Sequence, residues 1–185
     1  MLMLDEPVGS LDRGLRERLV GELRHLFVDR GITTLYVTHD QEEAFGLADR
    51  IVIMRDGSVA QEGTPEQVWR NPAGEWIARF LGFDNITDAV ITSGAADTSF
   101  GRFGIAGTAS GSHRLVIRPD GFTVSTEGTI RGKVVTRSFR GGHYHLQVEA
   151  GAGVLLEMEI DEHPVPAVGQ TVMLDIDPEA VVILD

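Results

Sequence analysis

The chain has 185 residues, room for one domain or two small ones, and a formal net charge of −12. That balance argues against a nucleic-acid footprint, because phosphate backbones are held by basic faces. There is no cysteine, which excludes disulfides and any Cys-bound zinc or iron–sulfur centre and fits a reducing compartment. No basic-then-apolar leader opens the chain, and no apolar stretch approaches the ~20 residues that cross a bilayer, so a membrane role has to come through a partner.

Leu2-Met3-Leu4 is a short apolar run ending in two adjacent carboxylates, Asp5 and Glu6, where Pro7 stops the strand. A tight Gly9-Ser10-Leu11-Asp12 turn follows. From Arg13 to Arg30 the apolar residues Leu15, Leu19, Leu23, Leu26 and Phe27 recur at helical spacing, with Asp12 placed to cap the start and Gly31 the end. Thr33–Thr38 is β-branched and aromatic, a buried strand by composition, and it runs into His39 and Asp40. Asp40, with Glu43 three residues on, has the form of a capping box opening a second helix. Two parallel strands ending in Asp-Glu and in Thr-His would make half of a nucleotide-hydrolysing site.

Two strand-like runs flank Asp56-Gly57, a hairpin signal. Thr64-Pro65-Glu66-Gln67 combines a cap, a proline at the first helical position and a glutamine that closes the box. Asn71-Pro72 breaks that helix, and another runs from Glu75 to Leu81 and stops at Gly82. Composition changes after Phe83. Residues 93–112, rich in Gly, Ser, Ala and Thr, predict a weakly packed connection or a pair of edge strands. Beyond Leu115 come a turn at Arg118–Gly121, a long alternating strand over Thr129–Phe139, and a turn at Gly141-Gly142. Further strands are expected at His143–Glu149, Val154–Ile160, Thr171–Asp177 and Val181–Leu184, a small barrel or sandwich.

In combination these segments are similar to the ATP-binding cassette (ABC) transporter ATPases. Leu2–Pro7 resembles their Walker B strand, Gly9–Asp12 their D-loop, and Val37-Thr38-His39-Asp40 their switch-histidine loop. Ala48–Gly82 resembles the continuation found in importer subunits, and the chain from about Asn85, marked by Ile117-Arg118-Pro119-Asp120, resembles their regulatory (TOBE-like) barrel. The fold implied is α/β: the C-terminal part of a P-loop NTPase parallel-sheet domain over 1–83, then a small all-β OB-like barrel over 84–185. The resemblance implies ATP and Mg²⁺ as ligands. Asp5 would hold Mg²⁺ through a water, Glu6 would be the general base, and His39 would contact the γ-phosphate. Ser10 and Asp12 would sit at the interface with a second ATPase subunit. The partners implied are integral-membrane permease subunits, that second subunit and, indirectly, a solute-binding protein, with the chain peripheral on the cytoplasmic side.

Three elements of the family pattern do not occur: the lysine-bearing phosphate loop, the glutamine loop and the Leu-Ser-Gly-Gly-Gln signature. Lys133 is the only lysine, and Gly128–Lys133 has the wrong spacing and Val134 where Ser or Thr is needed, so it is expected to be a turn and a strand. The expectation is a truncated cassette, inactive by itself, that imports ferric iron, thiamine, sulfate, polyamines or sugars once complete, the compact barrel favouring iron or thiamine. The alternatives are a non-catalytic dimerisation or solute-sensing module and, less in keeping with the acidic balance, a nucleic-acid-processing ABC ATPase. Glu42-Glu43 is expected to be a solvated helix start. His143 and His145 alternate on a strand, but no third metal ligand is evident nearby. Lys133, Arg137 and Arg140 are expected as solvated surface charge, and Trp69, Trp76 and Phe80 as packing at the junction of the two parts.

Overall fold

A computed structural model describes residues 1–161 and 164–184. The backbone divides into two compact units, Met1–Trp69 and Arg70–Asp185. The first unit alternates strand and helix: β1 (Leu2–Asp5), α1 (Arg13–Asp29), β2 (Thr34–Val37) and α2 (Gln41–Leu47). It continues with β3 (Ile51–Arg55) and β4 (Ser58–Gly63). The helix α3 (Pro65–Arg70) follows.

Strands β1 and β2 pair in parallel, Leu2 opposite Thr34 and Asp5 opposite Val37. The helix between them starts where Asp12 caps it, its carboxylate accepting from the Leu15 N–H at 3.1 Å. It ends before Gly31, whose φ of +59° is the left-handed conformation that closes a helix without steric cost. The hairpin β3–β4 turns through Asp56 and Gly57 with φ of +51° and +78°, the pair of positive φ values that a two-residue primed turn requires. The capping box before α3 is complete: Thr64 N–H donates to Gln67 Oε1 at 2.9 Å and Gln67 N–H to Thr64 Oγ1 at 3.2 Å. Trp69 meets Phe45 edge-on at 5.7 Å.

The second unit opens with α4 (Glu75–Phe80), in which Trp76 stacks on Phe80 at 5.4 Å. It then runs through β5 (Ile86–Thr92), β6 (Ala95–Thr98), β7 (Gly101–Gly104), β8 (Gly111–Ile117) and β9 (Phe122–Val124). The last strands are β10 (Ile130–Phe139), β11 (Tyr144–Ala150), β12 (Val154–Ile160), β13 (Thr171–Ile176) and β14 (Val181–Leu184). They form two five-stranded antiparallel sheets, ordered β12-β11-β10-β13-β9 and β14-β8-β5-β6-β7.

Alternation builds the core between them. Ile130 and Val134, Leu146 and Val148, Leu156 and Met158, and Val172 and Leu174 turn inward onto Ile91, Leu115 and Ile117 of the other sheet. Asn85, buried beside β5, ties β8 to β12. Its amide donates to the Ile117 carbonyl at 3.2 Å and the Glu157 carbonyl at 2.7 Å, and its Oδ1 accepts from Glu157 N–H at 2.7 Å.

Residues 93–112 are neither weakly packed nor a pair of edge strands: β6 pairs with both β5 and β7, and of the two only β7 lies at the sheet edge. In the β6–β7 hairpin Ala96 and Phe103 are buried, with Phe100 in the turn and Ile105 just past β7, and Phe100 stacks on Phe103 at 5.8 Å. A few large side chains among small ones supply the core contact there. Gly128–Lys133 is sheet packing: a Cβ on Gly128 would lie 2.7 Å from the Leu174 backbone. His145 Nε2 lies 2.7 Å from Glu157 Oε2 and His143 Nε2 lies 3.8 Å from Glu159 Oε1. No cluster of three or more metal-ligating side chains occurs among the described residues.

The two units differ in how they bury apolar surface. The second has the continuous core just described, whereas none of the seventeen residues of α1 is buried and Met3 in β1 is 65 % exposed. Parallel strands are normally covered on both faces, and two strands alone are marginal in water. Native-state hydrogen exchange should therefore show the amides of β1 and β2 opening well before those of β11. Equal protection of the two would overturn this account. Gly128→Ala should lower the unfolding free energy by about 1–3 kcal/mol, the usual cost of forcing an extra carbon into a packed position. Chemical denaturation followed through the second unit measures it.

Candidate functional site

The parallel register of β1 and β2 brings both strand ends to one level. Glu6 N–H donates to the Val37 carbonyl at 2.9 Å, extending the ladder one residue past Asp5. Glu6 has a φ of +44°, a left-handed conformation that side chains other than Asn and Asp rarely adopt. The chain then folds through Val8, which is buried, and closes with Gly9 N–H donating to the Glu6 carbonyl at 3.3 Å and Leu11 N–H to the Val8 carbonyl at 3.0 Å. One residue at the end of each strand faces the other: His39 Nδ1 lies 2.9 Å from Glu6 Oε1. Both side chains are open to solvent, 75 % and 53 % exposed.

The hydrogen bond that His39 makes to Glu6, and then the Glu6 charge, hold the His39 pKa above the ordinary 6.5. The imidazolium is the form Glu6 favours, with Nδ1–H as donor. Because the folded value is raised, whatever the pair contributes to stability is complete below pH 6.5 and is lost as pH rises through the higher folded value. Nε2 is left for another acceptor.

The other candidates lie close by in sequence but are disposed differently. Asp5 is the last residue of β1 and is exposed, and its carboxylate has no hydrogen-bond partner among the described residues. A free, exposed carboxylate at a strand end fits a hard cation such as Mg²⁺, which keeps much of its own water shell and needs few protein oxygens. Ser10 is exposed in the turn after Glu6. Asp12 is exposed too, but its carboxylate is engaged as the cap of α1.

Glu43 overturns an expectation. It is 2 % exposed rather than solvated, whereas Glu42 beside it is exposed. Its Oε2 accepts from Tyr36 Oη at 3.0 Å and Thr38 Oγ1 at 2.8 Å, and Arg16 Nε approaches its Oε1 at 3.5 Å. That last approach is an ion pair whose atoms are too poorly aligned for a hydrogen bond. The capping box at Asp40 is accordingly only half formed. Asp40 Oδ1 accepts from the Glu42 and Glu43 N–H groups at 2.9 and 3.3 Å, but Asp40 N–H donates to Thr38 Oγ1 at 3.0 Å in place of Glu43. Burial, then the bond to Glu43, push the Tyr36 hydroxyl pKa far above its usual value, so Tyr36 remains a donor. Arg16 and Tyr36 are site neighbours that the sequence pattern did not single out, and Glu43 is one that it placed in solvent. The one available signal was Arg16 a turn inside α1, a helical residue with a polar partner to find.

The chain belongs to the family of ABC importer ATP-binding subunits. Residues 115–184 match the TOBE domain. Over its whole length the chain is a homologue of the ATP-binding subunits of ABC importers. It is 50 % identical to the Fe(3+) ions import ATP-binding protein FbpC of Streptomyces avermitilis, covering 100 % of this chain and 54 % of that protein. Against FbpC of Streptomyces coelicolor the identity is 47 %, covering 100 % and 53 %. Against the Spermidine/putrescine import ATP-binding protein PotA of Clostridium acetobutylicum it is 34 %, covering 100 % and 53 %. The chain thus spans about half the length of the relatives it matches.

Substituting Glu6→Gln removes the charge and the acceptor strength that sustain the His39 imidazolium. The His39 pKa, read from its ring resonances by NMR, should fall toward 6.5. An unchanged value would mean that the 2.9 Å approach does not persist in solution.

Proposed function

We propose that this chain supplies the catalytic strand ends of an ATP-hydrolysing importer subunit, with Glu6 as general base and His39 as the group that senses the γ-phosphate. The observation that carries it is the 2.9 Å approach of His39 to Glu6 at the ends of two parallel strands. The water that attacks the γ-phosphorus passes its proton to Glu6 while the bond from phosphorus to the ADP oxygen breaks. His39, held through Nδ1 by Glu6, offers Nε2–H to the γ-phosphate oxygens where charge builds. Mg²⁺ beside Asp5 would neutralise charge on the phosphate oxygens. Ser10 and Asp12 face a second copy of the subunit across the nucleotide. Functionally, residues 1–83 belong to the ATPase and 84–185 to its regulatory barrel.

The partners in this reading are integral-membrane permease subunits on the cytoplasmic face and, beyond the membrane, a solute-binding protein. The solute is ferric iron, in keeping with what the FbpC relatives are named for. The chain has no helix among its described residues long and apolar enough to cross a membrane, which fits a peripheral role through such permeases.

The test joins the chain to the upstream half of an FbpC relative and follows phosphate release. Mg²⁺-dependent hydrolysis is expected in the joined protein, and titration of ATP and Mg²⁺ into the chain by itself should give no saturable heat. Glu6→Gln should lower kcat by about 10²-fold or more, the range lost with a positioned general base. Normal turnover in that variant would remove Glu6 from the role.

A further inference from the structure

We propose that Arg16 and Glu43 form a brace that holds the Gly9–Asp12 turn and the Thr38–Asp40 loop as one rigid piece, which makes Arg16 a positioning residue for His39. Its meaning for catalysis rests on the nucleotide-site reading above. The contacts themselves do not. Arg16 sits in the first turn of α1, and its guanidinium divides among three targets on different segments. Nη2 donates to the Leu11 carbonyl, in the turn, at 2.9 Å. Nη1 donates to Asp40 Oδ2, the residue after His39, at 2.8 Å. Nε faces the buried Glu43 Oε1 at 3.5 Å.

Glu43 completes the circuit from the other side. Its second oxygen takes the hydroxyls of Tyr36 in β2 and Thr38 just past it. Asp40 in turn caps α2. One cation and two carboxylates therefore fix the backbone on both sides of His39 and the backbone of the turn that carries Ser10. A planar guanidinium with its donors in a fixed fork suits this, whereas an ammonium would act as a point charge. The Arg13–Glu42 pair at 3.3 Å runs between the same two helices but is exposed at both ends, and exposed pairs hold little.

The brace predicts a sign that electrostatics alone reverses. The charged groups acting on His39 are Glu6, Asp40 and Glu43, each raising its pKa, with Glu6 first. Arg16→Met deletes a cation beside Asp40 and Glu43. With His39 held in place by other means, its pKa would rise. With the loop released, His39 loses its aligned bond to Glu6 and its pKa falls.

We would titrate His39 by NMR in the full chain carrying Arg16→Met, with the amide resonances of Leu2–Asp5 and Thr34–Val37 as a control for unfolding of the first unit. A fall toward 6.5 with the controls unmoved is the expected result, and a rise or no change overturns the brace. Arg16→Met leaves Glu43 buried without its counter-charge, so a second variant, Arg16→Met with Glu43→Gln, keeps an acceptor for both hydroxyls and removes that charge. It should show the same fall. If neither variant folds, hydrogen exchange on the unaltered chain decides. The Leu15 amide, bonded to Asp12, and the Glu43 amide, bonded to Asp40, should open together with one denaturant dependence. Separate openings overturn the proposal. No nucleotide enters these measurements, so their failure leaves the site assignment standing, and a joined protein that does not hydrolyse ATP leaves the brace standing.

Discussion

The geometry of the candidate site depends on one constraint, the parallel register of β1 and β2. Asp5 opposite Val37 puts the residues just beyond each strand at the same height, and the Glu6 N–H bond to the Val37 carbonyl fixes that relation beyond the last pair. A slip of one residue would reverse the face of every side chain in the shifted strand. Glu6 and His39 would then diverge. The left-handed φ of Glu6 belongs to the same arrangement: the chain must leave the strand sharply for the carboxylate to turn back toward His39. Backbone in that region is costly for most side chains and persists where surrounding structure over-determines it.

Local chemistry was legible wherever a segment answered to its own residues. Asp12 before α1, Asp56-Gly57 in the hairpin and the Thr64–Gln67 box all do what their types dictate, because each involves neighbours a few positions apart. Asp40 and Glu43 carry the same box signature as Thr64 and Gln67 and end differently. The reason lies outside the segment. Thr38 supplies its own hydroxyl to the Asp40 N–H, so the Glu43 carboxylate is free to turn inward, and Arg16, twenty-four residues before Asp40, meets it there. A pattern rule sees the cap but not the competing donor. Removing one member of a buried ion pair costs about 3–5 kcal/mol, whereas replacing both with well-packed apolar groups is often neutral. The pair therefore carries positional information more than net stability.

The all-β unit shows the same division. Long alternating strands such as β10 to β12 stand out in sequence because a period of two persists over them. The β6–β7 hairpin does not, because Gly, Ser, Ala and Thr dilute the pattern and only Ala96, Phe100, Phe103 and Ile105 report the core. Asn85 was invisible for a deeper reason. Its three hydrogen bonds reach β8 and β12, and residue 157 is seventy-two positions away. A polar residue in a linker reads as solvent-facing until the sheets close over it. Once buried, an amide with both its donor and its acceptor satisfied ties two layers at a defined distance, which apolar contact alone does not specify.

The candidate site thus lies on the least buried part of the chain. The second unit has a continuous core, while β1 and β2 carry Met3, Leu35 and Val37 toward solvent and α1 buries none of its residues. In such a setting hydrophobic packing cannot fix side chains to within a fraction of an ångström, and hydrogen bonds that link distant segments must do so. Arg16 and Glu43 supply those links, and His39 and Glu6 supply the one that joins the two strand ends. Exposed apolar strands of this kind are normally covered by further structure. Covering them would dry the surroundings of these polar groups and strengthen each interaction, so the effective rigidity of the site is tied to what lies over β1 and β2.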